Sequence, residues 1–291
     1  MTRRDILRSS CAVAASSPAI QAESGQLQKK TGIVTASLTP HFSSPQRPGK
    51  FTLLDFPQFA GEELGLEVID FNTMNIFDYR PTYLDKLRAS IAKHGCIATN
   101  LKMNQKVNMA SPNPEHRHEA MRVYKRSIDA AQQLGCRWVR PLPQREKPDT
   151  ALQKAAFDEL IDYAGERKIT VLVENFGWMM NDSDSVINLV ENIGVDRVKV
   201  GIDTGNWTNN RIRYPALEKT FPHAVTCDFK AKEMTKEFEH PTYDLKRCFT
   251  IGWNAGFRGP WCLEHGNRDF TKAKRELIQL RTLLVQWIAE A

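Results

Sequence analysis

The stretch VLVEN, residues 171–175, ends an apolar run on Glu174. Three later stretches repeat this arrangement, each with one carboxylate near the end of an apolar run. They are VKVGIDTGNW (198–207) with Asp203, AVTCDFKAKE (224–233) with Asp228, and GPWCLEHGN (259–267) with Glu264. In a barrel of parallel strands, all four carboxylates would converge on one mouth. Because packed carboxylates repel one another and resist losing water, a cluster of this kind is either metal-bound or very unstable.

Short β-rich runs alternate with longer helical patterns from Gly32 onward. Helical spacing of apolar residues predicts helices over 81–94, 114–134, 150–167 and 271–290. The eight β-rich runs are GIVTASL (32–38), LEVIDFN (66–72), CIATNLK (96–102), WVRPLP (138–143), TVLVEN (170–175), VKVGID (198–203), AVTCDFK (224–230) and PWCLEH (260–265). This alternation is typical of parallel βαβ units, and so many units favour a closed barrel over an open sheet. We therefore predict an α/β fold with a single (β/α)8 TIM barrel, which takes roughly 250 residues.

The composition is that of an ordinary globular domain, with 291 residues, 41% hydrophobic and 25% charged. The formal net charge is +6, and leaving out residues 1–22 removes three arginines and one aspartate, so that +4 remains. Because these basic residues are scattered, we expect no nucleic-acid partner. After residue 22, no run approaches the roughly 18 apolar residues of a membrane span, so no membrane-spanning helix is predicted. The sequence is compatible with a homo-oligomer and does not define the oligomeric state.

Residues 1–22 have the pattern of a signal peptide, with a basic start and a short apolar segment of small residues. The pair Arg3–Arg4 resembles a twin-arginine signal. The alternative is a disordered basic tail. We therefore predict a signal peptide over 1–22, a linker over 23–31 and the barrel over 32–291. The location that follows is periplasmic or otherwise extracytoplasmic.

Six cysteines occur in the chain, and no two of them form a CxxC pair. Five fall in or beside apolar strand-like or helical runs, namely Cys96, Cys136, Cys227, Cys248 and Cys262. We interpret these five as reduced, buried thiols.

Polar residues collect where the predicted strands end, which is where barrel enzymes build their active sites. Besides the four carboxylates, this set comprises Asn72, Asn75, Asn100, Lys102, Asn104, Arg140, Gln144, Asn175, Asn206, Lys230, Lys232 and His265. A single strand-end Asp is more often a helix cap or a partner for Arg. Four carboxylates at four successive strand ends are hard to explain by capping, so the set predicts a functional site.

Over roughly residues 32–290, the chain resembles the xylose isomerase-like barrel family of sugar and sugar-phosphate isomerases and epimerases. The motifs that carry the resemblance are LVEN (172–175), DTGN (203–206), LEKTFP (217–222) followed by DFK (228–230), and Glu264. The resemblance implies that one divalent cation is bound by four side chains, which here are Glu174, Asp203, Asp228 and Glu264.

The sequence departs from the family pattern at two positions. Asp228 stands where the family has a metal-binding His, and Asn206 stands where many members have a second His. The first change makes the site all-carboxylate. Hard oxygen ligands suit Mg²⁺, Mn²⁺ or Ca²⁺ better than Zn²⁺, so we expect Mn²⁺ or Mg²⁺. The alternative is a site that no longer binds metal.

The resemblance also implies a chemistry, which is isomerisation or epimerisation of a sugar through an enediolate. In epimerases of this type, the glutamates of the fifth and eighth strands face opposite sides of the substrate, and Glu174 and Glu264 match those positions. One removes a proton and the other returns it. Lys230 would hold a substrate oxygen or act as an acid, or else form a salt bridge to a ligand carboxylate.

Export indicates a non-phosphorylated sugar or sugar derivative, because phosphorylated sugars are scarce outside the cytoplasm. The two tryptophans among the candidate ligands could stack on sugar C–H surfaces or merely pack their loops. The candidate substrate ligands are Asn100, Lys102, Arg140, Asn206, Trp178 and Trp207. Two alternative functions remain open, a lyase that performs β-elimination on keto-glycosides and a carbohydrate-binding barrel without turnover.

Overall fold

Eight parallel strands close into a barrel in the computed structural model of this protein, which describes residues 25–232 and 234–291. The strands are β1 (Thr31–Val34), β2 (Val68–Asn72), β3 (Ile97–Met103), β4 (Trp138–Pro141), β5 (Thr170–Val173), β6 (Lys199–Asp203), β7 (Ala224–Lys230) and β8 (Trp261–Glu264). Each strand pairs with its neighbour in the sequence, and β8 pairs with β1 to close the barrel. The predicted (β/α)8 TIM barrel is therefore confirmed.

A helix follows each strand and packs outside the barrel. The first, α1 (Phe56–Gln58), continues into a π-helical turn over Phe59–Glu63. The others are α2 (Pro81–Lys93), α3 (Pro114–Leu134), α4 (Thr150–Gly165), α5 (Ser185–Ile193), α6 (Asn210–Thr220), α7 (Leu245–Asn254) and α8 (Phe270–Glu290). Side-chain caps begin several of them; the Asn113 side chain, for example, accepts a hydrogen bond from the Glu115 N–H at the start of α3.

The apolar faces predicted from the sequence pack against the strands. Leu84 and Leu87 of α2 and Leu277 and Leu280 of α8 are buried, as their helical spacing indicated. The strands are buried along almost their whole length, as expected for a parallel sheet covered by helices. The five described cysteines are buried and form no disulfide. Burial raises the pKa of the Cys96 thiol to about 11.

One segment near the start of the barrel differs in detail from the sequence prediction. β1 was predicted to run to Leu38 but ends at Val34. The Thr35 hydroxyl accepts a hydrogen bond from the Asn72 N–H, and the chain continues as a 3-10 helix over Thr35–His41. Within the expected linker, Leu27 is only 2% exposed and packs in a small cluster with Val34. The predicted signal peptide lies outside the described residues. No helix among those described is both long and apolar enough to cross a bilayer.

Candidate active site

The predicted carboxylates lie at the carboxyl end of the barrel strands. Strand register places Asp203 of β6 beside Asp228 of β7, and Lys230 of β7 beside Glu264 of β8. Glu174 directly follows the last residue of β5. Because register partners on neighbouring strands project to the same side of a sheet, these groups meet at one mouth of the barrel.

Glu174, Asp203 and Asp228 form a buried group that we call the acidic cluster. Each contributes a carboxylate oxygen, and these oxygens all lie within 4.8 Å of one another. Asn175 fixes the spacing of the two strands involved, because its side-chain amide donates to the Asp203 carbonyl oxygen and accepts from the Asp203 N–H, both at 2.8 Å. The acidic cluster could therefore bind a metal ion.

Lys102 and Arg140 bring positive charge to the acidic cluster from the neighbouring strands β3 and β4, where they are register partners. The Lys102 ammonium group pairs with Asp228 Oδ2 and lies 3.4 Å from Glu174 Oε2. Arg140 Nε lies 2.6 Å from the same Glu174 oxygen. Both basic side chains are buried, so little water screens these ion pairs.

Lys230 connects Glu264 to the acidic cluster. Its ammonium nitrogen lies 2.6 Å from Asp203 Oδ2, 2.6 Å from Asn206 Oδ1 and 3.0 Å from Glu264 Oε1. The Asn206 amide in turn donates to Glu174 Oε1 at 3.2 Å. The four predicted carboxylates therefore share one network, in which Glu264 stands outside the acidic cluster and reaches it through Lys230.

The buried ion pairs set the protonation of the two glutamates. Burial disfavours ionisation of Glu174, but the Arg140 guanidinium and the Lys102 ammonium outweigh it, so its pKa lies below the ordinary value. Burial acts on Glu264 in the same way, and Lys230 with other nearby lysines outweighs it, so its pKa falls to about 2. Both glutamates are therefore ionised at neutral pH, the state that a proton acceptor requires.

The donor set of the acidic cluster fits a divalent cation. All its ligand atoms are carboxylate oxygens, which Mg²⁺ and Mn²⁺ prefer. Asp228 Oδ1 is buried and accepts no hydrogen bond from the described residues. A buried carboxylate oxygen without a partner is uncommon and often indicates the position of a bound ion or water.

A cavity of about 490 Å³ lies beside Lys230, between the loops that follow β6 and β7. This volume is within the usual range for small-molecule sites. Trp207 lines the cavity and is 2% exposed, and its indole N–H has no acceptor among the residues described. Lys232 and Tyr243 also line it. Of the two predicted tryptophans, Trp207 therefore borders space next to the network.

The other predicted substrate ligands have different surroundings. Asn100 is buried two residues before Lys102 on β3, and its side-chain oxygen has no donor among the described residues. Because alternate residues of a strand face the same side, Asn100 lies one layer deeper than Lys102. Trp178 lies in the 3-10 helix after β5 and packs against the core, with the Lys147 ammonium 5.4 Å from its ring centre.

Sequence reasoning gave no role to two residues that position the network. Asn175 was included in the sequence analysis only as one of several polar strand-end residues. Its position directly after Glu174 could have indicated that it helps to place the carboxylates. Tyr243 donates from its hydroxyl to the Lys230 carbonyl oxygen at 2.7 Å and so holds the end of β7. It comes from the loop before α7, where no periodicity or motif marks it.

Comparison with family models identifies the xylose isomerase-like TIM barrel over residues 60–283, about three quarters of the chain. The protein therefore belongs to the xylose isomerase-like TIM barrel family, as the strand-end motifs indicated. A comparison with curated proteins finds none that matches.

Solved structures share the fold at low sequence identity. D-psicose 3-epimerase from Clostridium cellulolyticum H10, solved with D-tagatose, is 14% identical with a TM-score of 0.70, covering 89% of this chain and 99% of that one. 3-Keto-D-glucoside 4-epimerase from E. coli is 13% identical with a TM-score of 0.64, covering 83% and 98%. A xylose isomerase-like TIM barrel protein from Mycobacterium smegmatis in complex with magnesium is 16% identical with a TM-score of 0.63, covering 90% and 97%.

Proposed function

We propose that this protein is an isomerase or epimerase that moves the proton on a carbon next to the carbonyl of a non-phosphorylated sugar or sugar derivative. One observation carries the proposal. The ionised side chains of Glu174 and Glu264 stand at the mouth of one barrel and are joined through Asn206 and Lys230. Two carboxylates in one site can exchange a proton with the same substrate carbon.

The residues of the network can be assigned to the steps of this reaction. Glu174 takes the α-proton onto its carboxylate, and the electrons of the broken C–H bond move into an enediolate. The Lys230 ammonium, 3.0 Å from Glu264 Oε1, gives a proton to the Glu264 carboxylate, which passes it to the opposite face of the carbon. The product has the composition of the substrate; Glu174 then releases its proton to solvent and Lys230 regains one, which restores the starting state.

The charges of the site support a neutral sugar rather than a phosphorylated one. The buried cations Lys102, Arg140 and Lys230 each lie within ion-pair distance of a carboxylate, so they are already neutralised. By contrast, Arg140 Nη1 and the Trp207 indole N–H are buried donors without an acceptor in the described part of the chain. Hydroxyl groups of a sugar could satisfy such donors.

The metal ion that we propose is Mn²⁺ or Mg²⁺, held by Glu174, Asp203 and Asp228. When bound, it would polarise the substrate carbonyl and stabilise negative charge on oxygen. One of the structural relatives, the protein from Mycobacterium smegmatis, is described as a complex with magnesium, which agrees with this assignment.

Proton exchange in D₂O tests the proposal. The purified protein, with Mn²⁺ present, is incubated with free ketohexoses and with keto-glycosides, and deuterium at the α-carbon is followed by NMR. Glu174→Gln and Glu264→Gln should each lower turnover by about 10²–10⁴-fold, because an amide cannot accept the proton. One of the two should still exchange the substrate proton without forming product. Glu191→Gln, at an exposed helix position, is the matched control.

The products distinguish the alternative functions. An unsaturated product that has lost its β-substituent would show a lyase. Binding of a sugar without any exchange would show a carbohydrate-binding barrel. Full exchange and full turnover in both glutamine variants would mean that proton transfer takes place elsewhere.

A further inference from the structure

The Lys102 side chain contacts two of the three residues that would bind the proposed metal ion. Its ammonium group contacts Asp228 Oδ2 and lies 3.4 Å from Glu174 Oε2, so it bridges two of the three carboxylates in the acidic cluster. The Lys102 side chain is 3% exposed. Its backbone is fixed on β3 by pairing with Asn72 on one side and Arg140 on the other.

The other two buried cations contact the network differently. Lys230 contacts Asp203 and Glu264 and does not bridge the acidic cluster internally. Arg140 reaches the cluster at Glu174 alone, with Nε 2.6 Å from Oε2. Among the described residues, Lys102 is therefore the cation that bridges two members of the acidic cluster.

A divalent ion held by Glu174 and Asp228 would enter a cluster whose carboxylates Lys102 already contacts. Mg²⁺ binds carboxylate oxygens at about 2.0–2.1 Å. An ion at that distance from Asp228 Oδ2 and Glu174 Oε2 would lie next to the Lys102 nitrogen, and two positive charges in contact repel strongly in a buried site. The ammonium and the metal therefore cannot occupy these positions together.

We propose that Lys102 is the resident cation of the acidic cluster, which holds the carboxylates together without metal and must move away when a divalent ion binds. This inference rests on the metal site assigned under the proposed function. Its consequence is that metal binding is a cation exchange, in which Lys102 lowers the affinity for metal. Asp228 Oδ1, which accepts no hydrogen bond from the described residues, would offer a first ligand to an incoming ion.

Metal affinity measured without substrate tests the inference. Wild type, Lys102→Met and Lys102→Arg are stripped of metal and titrated with Mn²⁺, and free Mn²⁺ is read by electron paramagnetic resonance. Lys102→Met should bind Mn²⁺ at least about tenfold more tightly than wild type, since one group next to a metal ligand commonly changes affinity by about 10–100-fold. Lys102→Arg keeps the charge and should show no such gain. Lys106→Met, an exposed position beyond the same strand, is the matched control.

A second measurement needs no variant and so does not depend on Lys102→Met folding without metal. Wild-type protein is acetylated with and without saturating Mn²⁺, and the labelled lysines are identified by peptide mass spectrometry. Lys102 should react faster when Mn²⁺ is bound, because its ammonium has left the acidic cluster.

The outcomes separate this inference from the proposed function. Equal Mn²⁺ affinity in wild type and Lys102→Met, no binding by either protein, or unchanged acetylation of Lys102 would each overturn the role of Lys102. Suppose that Lys102→Met binds Mn²⁺ more tightly than wild type but that wild type catalyses no α-proton exchange. That result would support this inference and overturn the proposed reaction instead.

Discussion

At the residue scale, Asp70 on β2 lies outside the acidic cluster and provides a test of the effect of burial on a carboxylate. It is fully buried; the Thr99 hydroxyl donates to Oδ1, and Oδ2 has no partner among the described residues. Burial raises the pKa of Asp70 above its ordinary value, although Lys102 and Thr99 act in the opposite direction. The unfolded chain therefore loses this proton at a lower pH than the folded chain does.

Asp70→Asn is expected to raise the free energy of unfolding at pH 7, because the variant has no charge to bury. The gain should be about 1.4 kcal/mol for each unit by which the folded pKa exceeds the unfolded one. The difference between variant and wild type should disappear below about pH 3.9, where Asp70 is protonated in both states. Urea unfolding of both proteins at several pH values measures the difference in the free energy of unfolding. A difference that does not change with pH would contradict the explanation.

The sequence located the carboxylates of the site but not their partners. Strand-end position is encoded locally, so Glu174, Asp203, Asp228 and Glu264 could be found from apolar runs alone. The ion pair between Lys102 and Asp228 joins residues 126 positions apart and depends on which side chains the barrel brings face to face. Lys102 was accordingly predicted as a substrate ligand, and its contact with the acidic cluster became visible only in three dimensions.

At the element scale, α7 packs against the barrel through Gly252. A Cβ atom at this position would lie 2.7 Å from Phe221 Cζ and 2.8 Å from Trp261 Cη2, and both aromatic residues are buried. Gly252→Ala should therefore lower the free energy of unfolding by about 1–3 kcal/mol through overpacking.

Gly165 at the end of α4 is the matched control for this prediction. A Cβ atom there would meet nothing within 4 Å. Gly165→Ala should raise the free energy of unfolding by about 0.5–1 kcal/mol, because alanine loses less conformational freedom than glycine in a helix. Urea unfolding of both variants measures the difference, and equal effects would show that Gly252 is not a packing contact.

The helices and strands themselves could be predicted well from the sequence. Of the four helices predicted with bounds, α3 covers the predicted residues, and α2, α4 and α8 differ from the prediction by one or two residues, because apolar periodicity and end signals are local. β1 was predicted too long. Thr35 and Ser37, which follow the strand, are buried in a 3-10 helix, and 3-10 turns leave no periodic pattern in the sequence.

At the scale of the whole molecule, the proposed export by the twin-arginine route remains a prediction. That route carries folded protein, which suits a barrel whose metal site is assembled before transport. Replacing Arg3 and Arg4 with Lys should leave the protein in the cytoplasm, and cell fractionation with immunoblotting measures where it accumulates. An unchanged periplasmic yield would contradict this route.

The buried cysteines have a consequence for studying motion of the barrel. A thiol-modifying reagent needs an accessible thiolate, and burial both shields these sulfur atoms and raises the pKa of thiols such as Cys96. Their alkylation rates under native conditions would therefore report how often each surrounding segment opens. Since the five occupy different parts of the chain, the order in which they react would map the least stable region, from Cys96 before β3 to Cys262 within β8.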